Sequence, residues 1–278
     1  MSAIVALRAS ASLKVEDDHG TFEIRGPYDV PGLSVPRHVR IYRPPRFDAR
    51  PARRTLYMFD GQNMFHDEPS FAGGWHLHKT VDRLSRRTAG APAVVGIDHG
   101  GAARIDELGP WREGDRGGKT DALLEWVVET LVPDLERELR LSPRPEDRVI
   151  GGSSLGGLAA LYAHFRHPSV FGGAMCLSPS FWFAHGHIFD FVANRSAPRA
   201  SRIYMDCGAR EGGQMIALAS RMAEHLRRRG YGPDRLLWRP ITTGIHSERH
   251  WRRRIPRALG FVFLPVAPAR APARRATA

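Results

Sequence analysis

Apolar positions along the chain fall into short runs separated by longer stretches with helical spacing, and the two patterns alternate. Residues 21–25 and 38–43 alternate apolar and polar side chains, which predicts paired antiparallel strands. Residues 55–59, 93–97, 148–150, 173–177, 202–207 and 236–241 form short apolar runs. Such runs suit central strands covered on both faces. Between them, residues 121–140 carry Leu124, Val127, Val128, Leu131 and Leu135 at helical spacing, with Pro133 expected to kink the helix. Residues 213–229 carry Ile216, Leu218, Met222 and Leu226 in the same way. The resulting alternation of strands and helices predicts one α/β domain over residues 21–264. Its expected core is a mixed, mostly parallel sheet of about eight strands with helices on both faces. Residues 1–20 carry little pattern, and residues 265–278 read as a disordered basic tail of Ala, Pro and Arg.

Composition narrows the class. The 278 residues are 42% hydrophobic and 25% charged, enough for a full core and unlike a disordered chain. No apolar run approaches the ~18 residues of a membrane span. The first residues lack a basic region followed by an apolar core, so a soluble, cytoplasmic protein is expected, with no membrane partner. The two cysteines, Cys176 and Cys207, lie in apolar runs, which excludes a disulfide scaffold and a tetrahedral cysteine zinc site. A net charge of +12 raises nucleic-acid binding. However, only Lys14, Lys79 and Lys119 are lysines, and the arginines are scattered except at 227–229, 252–254 and the tail. No specific nucleic-acid partner is therefore expected, and a non-catalytic basic binding protein is the alternative of a different class. Oligomeric state is left open.

The sharpest local signal is Gly152-Ser153-Ser154-Leu155-Gly156, which fits Gly-x-Ser-x-Gly between an apolar strand and an Ala/Leu-rich helix. A nucleophilic serine on a tight strand-to-helix turn needs small neighbours so that the backbone can pass close. The helix N-terminus beside it favours developing negative charge. Ser154 is the candidate nucleophile; Ser153 is adjacent but out of frame with the glycines.

At this point the chain resembles the esterase family of α/β-hydrolases that includes enterochelin-type esterases, S-formylglutathione hydrolases, some feruloyl esterases and the antigen 85 acyltransferases. The resemblance runs from about residue 20 to 264. It rests on residues 37–45, on Asp60-Gly61-Gln62-Asn63 after the third strand, and on Gly74-Trp75. Residues 95–98, Arg104 with residues 107–111, Ser178-Pro179-Ser180-Phe181-Trp182, and Gly244-Ile245-His246-Ser247-Glu248 with Trp251 follow in the family's order. It implies an α/β-hydrolase fold and a carboxylic-ester hydrolase, with an acyltransferase on the same fold as the alternative. It also implies the chain order serine, acid, histidine. The base would be His246, after the last strand, with His250 as the nearby rival. For the acid, Glu211 in the loop after residues 202–207 competes with Asp206 at that strand's end, and the resemblance favours Glu211. The oxyanion hole would use the backbone N–H of Leu155 and of Gln62, with Asp60 holding the turn.

Trp75, Trp111, Phe181, Trp182 and Phe183 fall in segments expected at the sheet's carboxyl edge, where α/β folds bind ligands. The first four are the candidate pocket for a small ester or one with an aryl or medium acyl group, with core and lid packing as the other reading, and residues 180–198 are the expected cap. Enterochelin-type relatives bind anionic catecholates, a role open to Arg104 and Arg210, which otherwise read as solvated surface charges. The His-x-His pairs 76/78 and 185/187 lack a complete ligand set, so neither metal nor organic cofactor is expected.

Overall fold

The computed structural model describes residues 15–17, 20–49, 53–196, 198 and 201–264. Within these, β1 (Val15–Asp17), β2 (Gly20–Tyr28), β3 (Arg37–Arg43), β4 (Thr55–Phe59) and β5 (Ala93–Ile97) precede a short hairpin, β6 (Arg112–Glu113) and β7 (Arg116–Gly117). Then come β8 (Arg148–Ser153), β9 (Gly173–Leu177), β10 (Arg202–Gly208) and β11 (Leu236–Ile241). The main sheet has the order β1-β2-β3-β5-β4-β8-β9-β10-β11. β1, β2, β3 and β5 are antiparallel neighbours, and every pairing from β5 to β11 is parallel.

The main sheet is the mixed, mostly parallel one that the apolar runs predict, with nine strands rather than eight. The additional strand, β1, lies in the segment without readable pattern. β8 continues to Ser153 rather than stopping at Ile150. Its last residues include Gly151 and Gly152, which add no apolar signal yet pack where a side chain could not fit. A Cβ on Gly151 would lie 2.7 Å from Met58 Sδ. The expected disordered tail, residues 265–278, falls outside the described residues.

Helices cover both faces. In chain order they are α1 (Leu77–Ser85), α2 (Arg104–Leu108), α3 (Thr120–Trp126), α4 (Val132–Leu139), α5 (Leu155–Arg166), α6 (Ile188–Ala193), α7 (Gly213–Arg228) and α8 (Glu248–Phe263). Strand side chains alternate between two cores. Tyr57, Ile150, Cys176 and Met205 pack with α3–α7, whereas Met58, Val149, Met175 and Tyr204 pack with α1 and α8. The helix expected over 121–140 forms, but α3 and α4 are joined by a π-helical stretch, Val127–Leu131. Pro133 supplies no N–H and its ring crowds the carbonyl four residues back, so the wider turn lies where regular bonding fails. Among the described residues, no helix is long and apolar enough to cross a membrane.

The parallel registers bring the strand ends together. Ser153 sits opposite Leu177, and Leu177 opposite Asp206. Every loop that leaves the carboxyl edge of β4, β5, β8, β9, β10 and β11 therefore opens on one region of the surface, the usual place for a site in an α/β sheet.

Candidate active site

Ser154 occupies the turn between β8 and α5 with φ 57° and ψ −123°. A non-glycine residue with positive φ is strained and persists only where its surroundings impose it. Here the imposition is close backbone packing: a Cβ on Gly152 would lie 2.6 Å from the Gly156 carbonyl carbon. The Ser154 N–H donates to the Leu177 carbonyl at 3.0 Å, and its carbonyl accepts from Ser180 N–H at 3.0 Å. The Ser154 and Ser180 hydroxyls lie 3.2 Å apart. Leu155 is the first residue of α5, so its N–H has no intrahelical partner. Ser153, the adjacent candidate, is buried in the β8 ladder.

The turn after β4 faces this elbow. Asp60 has left-handed backbone angles, φ 60° and ψ 44°, and opens a short 3-10 turn, Gly61–Asn63. Its buried carboxylate accepts from both Arg104 Nε and Nη2, at 2.6 and 2.8 Å. Asp60 carbonyl takes the Asn63 N–H at 2.9 Å, closing the turn around Gln62. Gln62 Oε1 accepts from the His99 N–H at 3.2 Å.

On the other side of Ser154 lies a polar cluster built from β10, α8 and the loops after β9, β10 and β11. Glu211 is the centre of the cluster. Its Oε1 accepts from Ser178 Oγ at 2.8 Å, Gly208 N–H at 2.9 Å and Arg254 Nη2 at 2.9 Å. Its Oε2 lies 3.0 Å from His246 Nδ1. Three donors on one oxygen thus hold the carboxylate still, and the other oxygen meets the imidazole. The Ser178 hydroxyl is used fully: it accepts from Trp251 Nε1 and Arg254 Nη1, both at 2.9 Å, and donates to Glu211. The His246 ring also stands edge-on to Trp251 at 4.8 Å.

Asp206, the rival carboxylate, is in the same cluster with different partners. It takes Arg254 Nη1 at 3.0 Å and Tyr204 Oη at 2.8 Å. The two carboxyls are driven in opposite directions. Burial lifts Asp206 to about 6, against the Arg254 charge and its hydrogen bonds. Burial also opposes ionisation of Glu211, but hydrogen bonds from His246, Ser178 and Arg254 outweigh it and hold that carboxyl at about 2. Glu211 is therefore ionised across the neutral range. Its bonded imidazole nitrogen then carries the proton, so Nε2 is the free base position.

A cleft of about 460 Å³ joins the two sides, lined by Asp60, Gln62, Asn63, Pro69, Phe71, His99, Arg104, Ser153, Ser154, His246, Glu248 and Trp251. Ser154, His246 and Gln62 thus share one cavity. His250 is not in its lining. Nor is any of the four aromatic residues expected to form the pocket. Trp75 is buried against Trp251, with ring centres 5.8 Å apart, and Phe181 is buried in the core. Trp182 is 42% exposed. Trp111 packs on Tyr162 and, with His187, Asp190, Phe191, Asn194 and Arg195, lines a separate groove of about 300 Å³. Among the described residues of the expected cap, 180–198, Ser180 meets Ser154, while α6 packs onto α5 through Phe191 and Tyr162. Phe71, 90% exposed, takes the place of these aromatics on the cleft wall. Of the two arginines considered for anionic groups, Arg104 is occupied by Asp60 and Arg210 is exposed in the loop before Glu211.

The sequence reading did not identify Ser178, Ser180, His99 or Arg254. Arg254 had a readable signal. It falls on the buried stripe Trp251, Arg254, Ile255, Ala258 of α8, while Arg252 and Arg253 face out. A basic residue at an apolar helical position announces a buried partner.

A family model described as "Putative esterase" matches residues 31–262. Protein YbbA of Bacillus subtilis is 22% identical over 242 residues, covering 82% of this chain and 92% of that protein. The iron(III) enterobactin esterase of Dickeya dadantii is 42% identical over 141 residues, 48% of this chain but only 28% of that enzyme. Among solved structures, the BES protein from Bacillus cereus superposes with a TM-score of 0.73 at 18% identity, covering 94% of this chain and 100% of that one. The enterobactin esterase of Shigella flexneri gives 0.68 at 20% identity, with 90% of this chain and 60% of that one covered. These two likenesses carry the α/β-hydrolase fold.

Proposed function

The chain belongs to the putative esterase family and is a serine esterase, and on that premise we propose that it hydrolyses small carboxylic esters, with Ser154 as nucleophile, His246 as base and Glu211 as the acid that orients it. The observation that carries this reading is the 3.0 Å contact of His246 Nδ1 with a carboxylate whose other oxygen is saturated. That contact keeps the Nδ1 proton in place and leaves Nε2 to act on a hydroxyl in the shared cleft.

In the resting site the Ser154 hydroxyl pairs with Ser180. On attack, Ser154 Oγ bonds to the ester carbonyl carbon and its proton passes to His246 Nε2. Negative charge develops on the carbonyl oxygen, where the Leu155 and Gln62 N–H groups and the N-terminus of α5 stabilise it. The imidazolium, held by ionised Glu211, returns the proton to the leaving alkoxide as the C–O bond breaks. Water then attacks the acyl-serine by the same proton path, releasing the acid and restoring Ser154. The closed Asp60–Arg104 pair keeps the Gln62 turn in shape throughout. Pro69, Phe71 and Trp251 supply apolar surface for an aryl or medium acyl group.

Hydrolysis of p-nitrophenyl acetate, butyrate and octanoate by wild type and by Ser154→Ala, Glu211→Ala and Asp206→Ala tests the reading. Loss of turnover in Ser154→Ala, with Glu211→Ala crippled more than Asp206→Ala, is the expected pattern. Wild-type turnover by Ser154→Ala would remove the nucleophile assignment.

A further inference from the structure

We propose that Arg254 is a positioning residue: its one guanidinium, divided between Asp206 and Glu211, fixes Glu211 in place and sets how much negative charge Glu211 presents to His246. This rests on the Ser154–His246–Glu211 reading. The geometry begins with where the arginine sits. Arg249, Arg252, Arg253 and Arg257 of α8 face solvent, and Arg254 alone of the five is on the buried stripe. Its Nη1 reaches Asp206 and Ser178, and its Nη2 reaches Glu211. Room has been cleared for it: a Cβ on Gly244 would collide with the guanidinium, and one on Gly208 with the Glu211 carboxylate. Replacing a buried ion cluster by apolar side chains is often neutral or stabilising, so stability alone does not explain the arrangement.

The division of charge has a direct consequence. A cation held wholly by Glu211 would weaken that carboxylate's pull on an imidazolium. With Asp206 drawing on the same guanidinium, Glu211 keeps more of its negative charge for His246. The other groups around this pair are few. From β10 come Tyr204, bonded to Asp206, and Cys207, whose Sγ is 3.9 Å from Glu211 Oε2. From α8 come Glu248 in the cleft lining and His250 on the outer side. Arg210 precedes Glu211 and is exposed, and Asp60, His99 and Arg104 stand across the cleft. Arg254 bonds both carboxylates, one through each terminal nitrogen.

The test is the acid limb of kcat/KM for p-nitrophenyl butyrate, which reports protonation of the base. Asp206→Asn leaves Glu211 as the one carboxylate on Arg254; the limb moves to lower pH than in wild type. Asp206→Asn/Arg254→Met removes the cation without stranding a buried carboxylate. Its limb lies above that of Asp206→Asn by about half a pH unit or more. Its kcat falls about 10- to 100-fold as Glu211 loses its clamp, with KM changed less than kcat. Arg254→Lys in the Asp206→Asn background restores the limb but not the full kcat, because an ammonium cannot bridge two groups as a fork. Circular dichroism and cooperative unfolding establish that each variant is folded. Coincident limbs in the two folded variants overturn the proposal. Should the double variant not fold, an Asp206→Asn limb identical to wild type overturns it equally. Ser154→Ala, assayed alongside, separates the two questions: full activity there defeats the nucleophile reading, not the role of Arg254.

Discussion

Two buried arginine–carboxylate clusters flank Ser154, and they are built differently. On the β4 side the pair is closed: both Asp60 oxygens are taken by the fork of Arg104. On the β10 side the cluster is open: Arg254 is divided over two carboxylates, and Glu211 Oε2 is left to His246. A closed pair satisfies its charge internally and acts on its surroundings through shape, here the turn that carries Gln62. An open cluster presents charge to a group outside itself, here His246. Under the proposed mechanism, the same two residue types serve as scaffold on one side of Ser154 and as part of the chemistry on the other.

The largest way to break this contrast is Glu211→Gln. The amide keeps the shape but loses the charge that holds the Nδ1 proton, and kcat for p-nitrophenyl butyrate is expected to fall about 10³- to 10⁴-fold. Arg104→Met breaks the closed pair instead. It leaves Asp60 unpaired at 2% exposure, so urea unfolding should show a loss of about 3 kcal/mol, with kcat/KM reduced far less than in Glu211→Gln.

The pH dependence of stability sharpens the comparison inside the open cluster. Glu211, lowered from 4.5 to about 2, adds stability above pH 4.5 that is lost as pH falls toward 2. Asp206, raised from 3.8 to about 6, has the opposite sign: its cost is present above pH 6 and is relieved as pH falls toward 3.8. Wild-type unfolding free energy should therefore rise between pH 7 and about 4.5 from this group and then fall. In Asp206→Asn the rise should be flattened and the fall retained, as read by denaturant titration at each pH.

The smallest expected effect concerns the two apolar surfaces. Phe71→Ala should lower kcat/KM for the octanoate ester a few-fold more than for the acetate, in keeping with about 1 kcal/mol of apolar contact. Trp111→Ala, in the groove beside α6, should leave that chain-length ratio unchanged. A reversed outcome would return the substrate pocket to the aromatics expected from the sequence.

The α/β fold was legible because parallel strands buried on both faces must be apolar throughout, and the runs at 55–59, 93–97 and 173–177 coincide with β4, β5 and β9. The end of β8 was less legible, since Gly151 and Gly152 hold the strand by absence of side chains. The candidates Ser154, Glu211 and His246 came from local motif, chain order and resemblance; Ser154 and His246 line one cleft, and Glu211 lies against His246. The cleft's lining was not legible. Aromatic content alone does not distinguish Trp75 and Phe181, which fill the core, from Phe71, which stands at 90% exposure on the rim. Which side chain faces a cavity depends on loop paths that no periodicity encodes, such as α6 turning back onto α5.

The most direct measurement is to label the enzyme with an organophosphorus fluoride and locate the adduct by peptide mass spectrometry in wild type and Ser154→Ala. Other serine hydroxyls lie in the neighbourhood of Ser154, among them Ser153, Ser178 and Ser180. The expected result is a single adduct on Ser154 that disappears, together with esterase activity, in Ser154→Ala. An adduct on Ser153, Ser178 or Ser180, or labelling that survives in Ser154→Ala, would contradict the assignment of the nucleophile on which the mechanism rests.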